Sequence, residues 1–517
     1  MDFTEIYGQS AGLVAFSPGA HFILTAVQDR VIIRRADSFQ IARTWHADVD
    51  TPQSSTNIAL PTKIAAGGSQ GGGGQNVITH AGWSSDSEYI LAACAKKGTV
   101  TVFKLRDETW NARIDAGAEG LVKAEWAPDG RTILIFSSWG LRVTIWSLVS
   151  GSPTYINFPL HPDRGYAFRN DGYYFVLAER HKSRDTIGVY ECGSSYRMVR
   201  HFPLPTSNLS SLSLSPTGNC VAVWEGPLEY KLYILTLAGN LIGTFQPDPD
   251  PGFGIRTCAW HPTGNYLAVA GWDDKVCSTE YYLGVLVFMK TIVKVYILES
   301  LSWGPVAVLD PTQRLNASVM VWREPLDWIE KTHGRGFLSY ERLQPPYSLP
   351  YSRPDNTKAN PKAGAVQLSF NVTGSLLLAR FESSPTTVFL FAFPSLTESG
   401  STNDPTSSSA SVTVPKLRSV LLHSNPVTAA KWNPLRKSSL AVCCGSGSLY
   451  LWSDEWIGDD EDSGESEEVA ECVGVPARQF ETRDVRWSPD GKGLVLLDKD
   501  TFCCAFEVEE PEEDIVE

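Results

Sequence analysis

The chain has 517 residues, of which 43% are hydrophobic and 20% are charged, a composition typical of a soluble globular protein. Aromatic residues make up 11%, and the 42 glycines and 32 prolines supply many turns, which favours an all-β fold. The formal net charge of -14 argues against a nucleic-acid backbone or an anionic membrane surface as the main partner, because either requires a positive field.

One repeat recurs along the chain: an apolar strand ending in an aromatic residue, a turn, a second strand, a loop and a third strand. The unit at 121–148, LVKAEWAPDGRTILIFSSWGLRVTIWSL, has its clearest form. In its turn, Pro128 presets φ and Gly130 accepts a positive φ, so the hairpin closes with little strain.

Nine such units follow one another, several at the spacing of about 40–45 residues that is typical of a WD40 blade. The residue that ends the first strand of each unit is, in chain order, Phe16, Trp83, Trp126, Phe168, Leu214, Trp260, Phe370, Trp432 and Trp487. A blade cannot bury both faces alone, so the repeat predicts an all-β, WD40-type β-propeller over residues 1–517. We predict one large propeller of about nine degenerate blades, with two unequal propellers as the alternative. Residues 3–7 are predicted to supply the outer strand of the last blade, which removes an exposed edge.

Six segments interrupt or extend the repeats. In chain order they are a Gly-rich loop at 65–75, an anomalous apolar insertion at 277–293, an inserted hairpin or loop at 310–361, a Ser/Thr-rich loop at 395–413, an acidic loop at 454–471 and an acidic tail at 507–517. The repeat register places the first three on the rim that carries the loops between second and third strands and between blades. The next two fall on the opposite rim. Each acidic segment is interpreted either as a solvated segment or as a dock for a basic partner or a phosphorylation site.

The insertion at 277–293 is the most membrane-like stretch of the chain. Removing it leaves GWDDKVKVYIL, an ordinary connection from a second to a third strand. A membrane-spanning helix needs about 20 apolar residues and would break a blade, so we expect no membrane segment. Two interpretations stay open: an extra β-hairpin at the rim, or non-native sequence from a retained intron. The second is favoured, because an apolar insert at a solvent-facing rim has no evident partner.

No motif predicts a catalytic, cofactor-binding or metal site. Residues 8–12 match the G-x-S-x-G pattern of a nucleophile elbow, but they lead into a repeat strand rather than a helix, so Ser10 is not expected to act as a nucleophile. The Gly-rich loop lacks the Gly-Lys-Ser/Thr ending of a phosphate-binding loop. None of the nine histidines has zinc-ligand spacing. We therefore expect no enzyme activity, cofactor or small-molecule substrate.

An ordered set of short motifs carries a family resemblance. They are RIDAGAEGLVKAEWAPDGRTIL (113–134), LRVTIWSL (141–148), LAER (177–180), VAVW (221–224), LEYK (228–231), ANPK (359–362), LYLWS (449–453) and KDTFC (499–503). In this order and spacing the sequence resembles the WD-repeat protein eight family, the centrosomal and spindle-pole WD-repeat proteins. LAER and LEYK discriminate best, because they are not general features of WD repeats.

The resemblance implies a non-catalytic scaffold in the cytoplasm and cytoskeleton, at the microtubule-organising centre or spindle pole body. It implies protein partners: a coiled-coil adaptor for microtubule anchoring and a minus-end-directed kinesin. The acidic charge agrees with a scaffold that works through an adaptor, since an acidic protein is poorly suited to grip the acidic microtubule surface. The alternative is a propeller scaffold in translation or ribonucleoprotein assembly.

Five residues are candidates for partner binding: Trp139, Glu179, Arg180, Glu229 and Tyr230. All precede a predicted third strand, on the rim that carries the inserted hairpin. Exposed Trp, Tyr and Arg side chains there would suit binding hot spots. The alternative is structural: Trp139 and Tyr230 would cap the blade cores, and Glu179 and Arg180 would cross-link blades.

Overall fold

The structure is a computed structural model that describes residues 1–47, 77–272, 281–282, 285–286, 294–309, 314–316, 318–328, 336–344, 346–352, 363–393, 415–457 and 466–507. Within these ranges the regular structure is strand, apart from two short 3-10 turns at Ser138–Gly140 and Cys192–Ser194 and one helical residue, Trp328. A search of the described residues finds no helix long and apolar enough to cross a membrane. The predicted segments at 65–75 and 395–413, residues 458–465 of the predicted acidic loop and residues 508–517 of the acidic tail lie outside the described residues. The prediction of a loop over 454–471 is wrong for the residues that are described, because they belong to the paired strands Ser448–Ile457 and Ser466–Gly474.

Nine antiparallel sheets follow the nine repeat units, confirming the predicted all-β class and the number of blades. In blade 1 the strands are Val14–Phe16, Phe22–Val27, Arg30–Arg35 and Ile41–His46; in blade 2, His80–Trp83, Tyr89–Cys94, Thr99–Lys104 and Asn111–Asp115; in blade 3, Lys123–Trp126, Thr132–Phe136, Arg142–Ser147 and Pro153–Asn157. In blade 4 they are Tyr166–Phe168, Tyr174–His181, Arg184–Glu191 and Arg197–Pro203; in blade 5, Leu209–Leu214, Cys220–Glu225, Leu232–Thr236 and Leu241–Phe245; in blade 6, Ile255–Trp260, Tyr266–Gly271, Val295–Glu299 and Pro305–Leu309.

The last three blades follow the same order and carry additional strands. Blade 7 contains Ala365–Phe370, Leu376–Phe381, Thr387–Ala392 and Lys416–Leu422; blade 8, Ala429–Trp432, Ser439–Cys443, Ser448–Ile457 and Ser466–Gly474; blade 9, Asp484–Trp487, Gly493–Leu497 and Thr501–Phe506. The chain divides into two compact units, one of Ile6–Pro162 with Lys499–Phe502 and the other of Met1–Glu5, Asp163–Asp498 and Cys503–Glu517. The choice between one ring and two unequal propellers stays a prediction.

The first strands of neighbouring blades are tied together by the tryptophan that recurs in the repeat. In four of the five blades that carry this tryptophan, its indole Nε1 donates a hydrogen bond to a backbone carbonyl in the first strand of the preceding blade, whereas Trp260 Nε1 has no such partner. The four bonds run from Trp83 to Ala15 (3.2 Å), Trp126 to Gly82 (3.1 Å), Trp432 to Ser369 (2.9 Å) and Trp487 to Lys431 (2.9 Å). An indole that packs between two blades needs a partner for its N–H. The tryptophan therefore contributes both apolar contact and a directional hydrogen bond between neighbouring first strands.

The predicted hairpin turn of blade 3 forms as the sequence indicates. The carboxylate of Asp129 accepts hydrogen bonds from the backbone N–H groups of Arg131 and Thr132, at 3.0 and 2.9 Å. Gly130 has a φ of 64°, the left-handed conformation in which glycine carries no steric penalty. The turn therefore sets the register of the first two strands of the blade.

The N-terminal residues complete blade 9, in agreement with the predicted closure by residues 3–7. Two short strands, Asp2–Phe3 and Tyr7–Gly8, pair with the third strand of blade 9, placing Phe3 opposite Ala505 and Tyr7 opposite Phe502. The pairing is interrupted between them, so the outer strand has two pieces instead of one. The backbone groups along the edge of Thr501–Phe506 thereby gain partners, which protects it from pairing with another chain.

The apolar insertion predicted at 277–293 lies between two strands that pair directly with each other. These are the second strand of blade 6, Tyr266–Gly271, and Val295–Glu299. Between them the described residues are two short strands, Tyr281–Tyr282 and Val285–Leu286, which pair with each other. The rest of the insertion lies outside the described residues. The two interpretations of the insertion, native hairpin or retained intron, stay predictions. A spliced transcript that lacks these codons would support the second.

The segment predicted at 310–361 as an inserted hairpin joins the outer edges of blades 7 and 8. Met320–Arg323 pairs antiparallel with Glu341–Leu343 and, on its other side, parallel with the outer strand Lys416–Leu422 of blade 7. Phe337–Ser339 pairs with the outer strand of blade 8. A further pair, Arg314–Leu315 with Tyr347–Ser348, closes the base of the segment. We call the described residues of 320–343 the edge clamp, because their strands extend both blades.

Glu324 is the centre of a buried polar network beneath the edge clamp. Its carboxylate accepts hydrogen bonds from Tyr450 OH at 2.6 Å, Trp328 Nε1 at 2.8 Å and the backbone N–H of Ser424 at 2.7 Å. Burial raises the pKa of Glu324, but these hydrogen bonds outweigh burial and hold the pKa below its ordinary value. The ionised carboxylate therefore links the edge clamp to blades 7 and 8.

Stability is expected to depend on pH through His423, which lies in the same network. Burial lowers the pKa of His423 from 6.5 to about 4, and the charge of Glu324 offsets this only in part. Because the unfolded state takes up the proton first, this contribution is complete above pH 6.5 and is lost as the pH falls towards 4. The loss amounts to roughly 3 kcal/mol of the free energy of unfolding.

Urea denaturation at a series of pH values measures this dependence. The His423→Gln variant should have a flatter profile than the wild-type protein between pH 6.5 and 4. The assignment to His423 is wrong if the two profiles run parallel through this window.

Candidate interaction surface

Three of the five candidate partner-binding residues, Trp139, Glu229 and Tyr230, lie in connections between second and third strands, and these connections differ in exposure. We use the term second–third rim for these connections together with the loops between blades. Blade 3, in the unit of Ile6–Pro162, carries Trp139. Blades 4 and 5, in the other unit, carry the remaining four candidates.

Trp139 is the most exposed large apolar side chain of the rim, with 95% of its surface accessible. It sits in the 3-10 turn Ser138–Gly140 with a φ of 62°, which turns its side chain away from the blade core. Leu141 and Phe158 are also exposed and are joined by a hydrogen bond from Phe158 N to Leu141 O at 2.9 Å. Trp139 therefore does not cap the core, and it presents the kind of side chain that forms binding hot spots.

The LEYK motif forms the connection of blade 5, and its residues have different roles. Glu229 is half exposed and pairs with Lys231 Nζ at 2.7 Å. Tyr230 is completely buried and packs edge-on against Phe245 and Tyr296, at ring-centroid distances of 6.3 and 6.0 Å. The expectation of an exposed Tyr230 is thus wrong, because the tyrosine fills the blade core as in the structural alternative. Leu228, in the same motif, is instead 80% exposed.

Three exposed apolar residues of blades 5 and 6 are carried by loops that hold one another. Gly254 N donates to Pro227 O at 2.7 Å, and Trp272 N donates to Gly254 O at 3.0 Å. A side chain at Gly254 would lie 2.9 Å from Pro227 Cα, so only glycine permits this approach. These bonds fix the loops that carry Leu228, Phe253 and Trp272. We call these three residues the apolar rim patch.

A cation–π pair borders the apolar rim patch. The guanidinium of Arg256 lies 4.5 Å from the ring centroid of Trp272, and its NH2 donates to Glu382 Oε1 at 2.8 Å. Sequence reasoning did not identify Phe253 or Trp272, because both occupy loops with no motif. The signal available was a single aromatic residue next to turn-forming Gly and Asp residues in each loop.

Glu179 and Arg180 belong to the second strand of blade 4 and not to a loop, which corrects their predicted position. The strand runs from Tyr174 to His181, longer than the second strands of the other blades, so it includes the LAER motif. The carboxylate of Glu179 is almost fully buried, whereas the guanidinium of Arg180 is part-exposed and bonds to Asp185 Oδ1 through Nε at 2.9 Å. Arg180 thus links strands within its own blade.

Glu179 also lies against two imidazoles. His181 Nε2 is 2.8 Å and His201 Nε2 is 3.5 Å from Glu179 Oε2. Among the described residues these three form the one group of His, Cys, Asp or Glu side chains with metal-ligand spacing. The sequence did not suggest it, because the two histidines are twenty positions apart and meet only through the strand order of the blade.

The hydroxyl of Ser10 takes part in a hydrogen bond that shapes a turn. Its Oγ accepts a hydrogen bond from Gln28 N at 2.8 Å, and the next regular element is the strand Val14–Phe16. A nucleophile elbow requires a strand followed by a helix. The G-x-S-x-G match therefore lies in a turn between two strands, as the sequence interpretation expected.

Comparison with known proteins identifies the repeat. The family model described as "WD domain, G-beta repeat" matches residues 239–278, which cover the outer strand of blade 5 and the first two strands of blade 6. These residues are similar to one WD repeat, in agreement with the predicted WD40-type blades. The match ends at residue 278, within the segment that precedes the displaced third strand of blade 6.

Two curated WD-repeat relatives extend the likeness along the chain. The WD repeat-containing protein WRAP73 of Mus musculus is 29% identical over 529 aligned residues, covering 98% of this chain and 96% of the mouse protein. An uncharacterized WD repeat-containing protein of Schizosaccharomyces pombe is 21% identical, covering 81% and 78% of the two chains. The first match confirms the predicted family resemblance over nearly the whole sequence.

Solved WD40 domains are similar at lower sequence identity. The crystal structure of the C-terminal WD40 domain of Sif2 is 11% identical, with a TM-score of 0.45, and the alignment covers 92% of this chain and 99% of that domain. The WD40-type β-propeller class rests on the matched repeat and on the nine blade sheets of the described residues.

Proposed function

We propose that the protein is a non-catalytic scaffold at the microtubule-organising centre, where it helps to anchor microtubule minus ends and to organise the spindle. It acts through an adaptor complex whose members are a coiled-coil anchoring protein and a minus-end-directed kinesin. The observation that carries the proposal is the match to WRAP73 along almost the full length of both chains. The family motifs LAER and LEYK support it, because both lie at defined places in blades 4 and 5.

The charge of the protein supports an indirect link to the microtubule. A net charge of -14 repels the acidic surface of tubulin polymers, so direct binding would work against the protein's own field. An adaptor with a basic segment can contact both the acidic scaffold and the acidic microtubule surface. This favours a scaffold that joins an adaptor to a motor over a direct microtubule-binding protein.

The second–third rim offers the contact surfaces for these partners. Trp139 in one unit, and Leu228, Phe253 and Trp272 in the other, are large apolar side chains held on short loops. The apolar stripe of an amphipathic helix can bury such side chains, and tryptophan is enriched among residues that dominate binding energy. Of the predicted contact residues, Trp139, Arg180 and Glu229 can touch a partner directly, whereas Glu179 and Tyr230 can act only by supporting their neighbours.

Two substitutions test the rim as the docking surface. Trp139→Ala and Leu228→Ala should each reduce recovery of the coiled-coil adaptor by about tenfold or more, because each removes an exposed apolar anchor. Affinity purification of the tagged full-length protein, followed by quantitative mass spectrometry, measures the loss. A tag that reports localisation should also show a weaker spindle-pole signal.

Matched controls are available on the opposite rim of the same two units. Val149 and Leu301 are 80% and 88% exposed and lie between third and fourth strands, so Val149→Ala and Leu301→Ala should leave recovery unchanged. Equal losses in all four variants would contradict docking at the second–third rim. Diffuse localisation of the wild-type protein, or salt-resistant co-sedimentation with ribosomes, would contradict the proposed function itself.

A further inference from the structure

We propose that Glu179, His181 and His201 of blade 4 form a binding site for a divalent transition-metal ion, with Zn²⁺ as the ion that fits best. The inference concerns the chemistry of one blade and does not depend on the proposed scaffold function. It rests on the geometry of three strands and on the types of side chain that they bring together.

The strand register places the three side chains on one face of the sheet. Glu179 and His181 are two positions apart on the second strand, so both point to the same side. The third strand separates them from the fourth strand, on which His201 pairs with Gly188. Gly188 in turn pairs with Leu177, which shares the face of Glu179. The side chain of Glu179 must therefore reach over the third strand to meet His201.

Gly188 makes this reach possible. A Cβ at this position would collide with Glu179 Oε1 and would lie 2.6 Å from Cε2 of the Tyr190 ring. The φ of Gly188 is not positive, so the backbone does not require glycine there, whereas the space does. The missing side chain opens a channel across the sheet, and the carboxylate of Glu179 occupies it.

The distances suit a metal ion after a small adjustment. The His201 Nε2 to Glu179 Oε2 distance is 3.5 Å, and all three ligand atoms lie within 4.8 Å of one another. Tetrahedral zinc with ligand bonds of about 2.0–2.2 Å separates its ligands by about 3.3 Å. His181 Nε2 lies 2.8 Å from the same oxygen as a hydrogen-bonding partner, so it must withdraw by roughly half an ångström and give up the shared proton when the ion enters.

The donor set and its surroundings match the chemistry of zinc. Two neutral imidazoles and one carboxylate are ligands that zinc commonly takes together, and imidazole favours it over magnesium or calcium. Tyr190 OH donates a hydrogen bond to Glu179 Oε1, which leaves Oε2 for the ion and fixes the carboxylate plane. A carboxylate that is 1% exposed gains a compensating charge when the ion binds.

The exposure of the two histidines determines how the ion can enter the site, and the strand order determines what its binding would do. The side chains of His181 and His201 are 38% and 35% exposed, so the ion can enter from solvent and keep a water in its fourth position. The bound ion would join the second and fourth strands of blade 4 across the third. Binding to the folded state alone would raise the stability of the protein in proportion to the free zinc concentration.

The test is a titration of the chelator-treated full-length protein with ZnCl₂ by isothermal titration calorimetry. We expect a site of one ion per chain that is weakened at least about tenfold in His181→Ala and in His201→Ala, because each removes one ligand. Tyr190→Phe should weaken it by about tenfold, the usual effect of losing a partner that orients a ligand. Co²⁺ in place of Zn²⁺ should give the visible absorption of a tetrahedral complex in the wild-type protein alone.

His46→Ala is the matched control. His46 Nδ1 lies 3.5 Å from Asp29 Oδ2, an exposed histidine–carboxylate pair that belongs to no three-ligand group in the described part of the chain. This variant should bind Zn²⁺ as the wild-type protein does. The proposal is overturned if the wild-type protein shows no site, or if the site persists unchanged in both ligand variants, which would mean adventitious surface binding only. Circular dichroism establishes that the part-exposed histidine variants fold.

Discussion

Replacing Glu324 by alanine is expected to lower the free energy of unfolding by about 3–5 kcal/mol, the range found when one partner of a buried charged network is removed. The substitution leaves Tyr450 OH, Trp328 Nε1 and the backbone N–H of Ser424 without the acceptor that they share. An unsatisfied buried donor costs about 1–3 kcal/mol, and not all three can find water at once. Urea denaturation followed by tryptophan fluorescence measures the change.

Glu341→Ala provides the control from the same edge clamp. Glu341 is 46% exposed and pairs with Arg323, so its loss should cost no more than about 1 kcal/mol, as for other surface ion pairs. Limited proteolysis adds a local measurement, because Glu324→Ala should expose residues 320–343 to cleavage before the blades unfold. Equal stability of the two variants would show that the buried carboxylate does not hold the clamp to blades 7 and 8.

Replacing Asp185 by alanine is expected to have an effect of similar size, about 3–5 kcal/mol, within blade 4. The buried carboxylate accepts hydrogen bonds from Arg180 Nε at 2.9 Å, Thr206 Oγ1 at 3.1 Å and the backbone N–H of Leu209 at 2.7 Å. It therefore joins the third strand of blade 4 to the first strand of blade 5. Losing it removes the buried acceptor that the Leu209 N–H and the Thr206 hydroxyl share.

Asp171→Ala is the control for this second substitution. Asp171 lies in the turn of the same blade, is 49% exposed and pairs with Arg169, so its removal should lower the free energy of unfolding far less than Asp185→Ala does. Asp185→Asn should fall between the two, because the amide oxygen keeps one acceptor and loses the charge. A fall in stability for Asp171→Ala as large as that for Asp185→Ala would mean that burial of the carboxylate is not the cause.

The blades could be predicted from the sequence because their determinants are local. A strand, a turn with glycine or aspartate and a second strand lie within some thirty residues, as in the unit around Trp126 and Gly130. Because the same pattern occurs nine times along the chain, even the degenerate copies could be recognised by comparison with the clearer ones. The N-terminal strand was predictable because closure of a blade leaves one edge to cover.

The strand partners of the edge clamp and the proposed metal site could not be predicted, because they depend on contacts between distant residues. Nothing in the run Met320–Arg323 indicates that it will pair in parallel with Lys416–Leu422, nearly a hundred positions later. Tyr230 was expected to be exposed because it precedes a predicted third strand on the rim, yet it is buried while Leu228 beside it is exposed. A short loop lacks the regular alternation of buried and exposed side chains that makes a strand predictable.

The edge clamp also decides where a partner could attach by adding a strand. Peptides that bind by β-augmentation need an open outer edge with unpaired N–H and C=O groups. On blades 7 and 8 the clamp already occupies that position, and on blade 9 the N-terminal residues do. In the part of the chain that the structure describes, blades 1 to 6 end in a fourth strand with no added neighbour. Strand-adding ligands are thereby directed to the N-terminal two-thirds of the repeats.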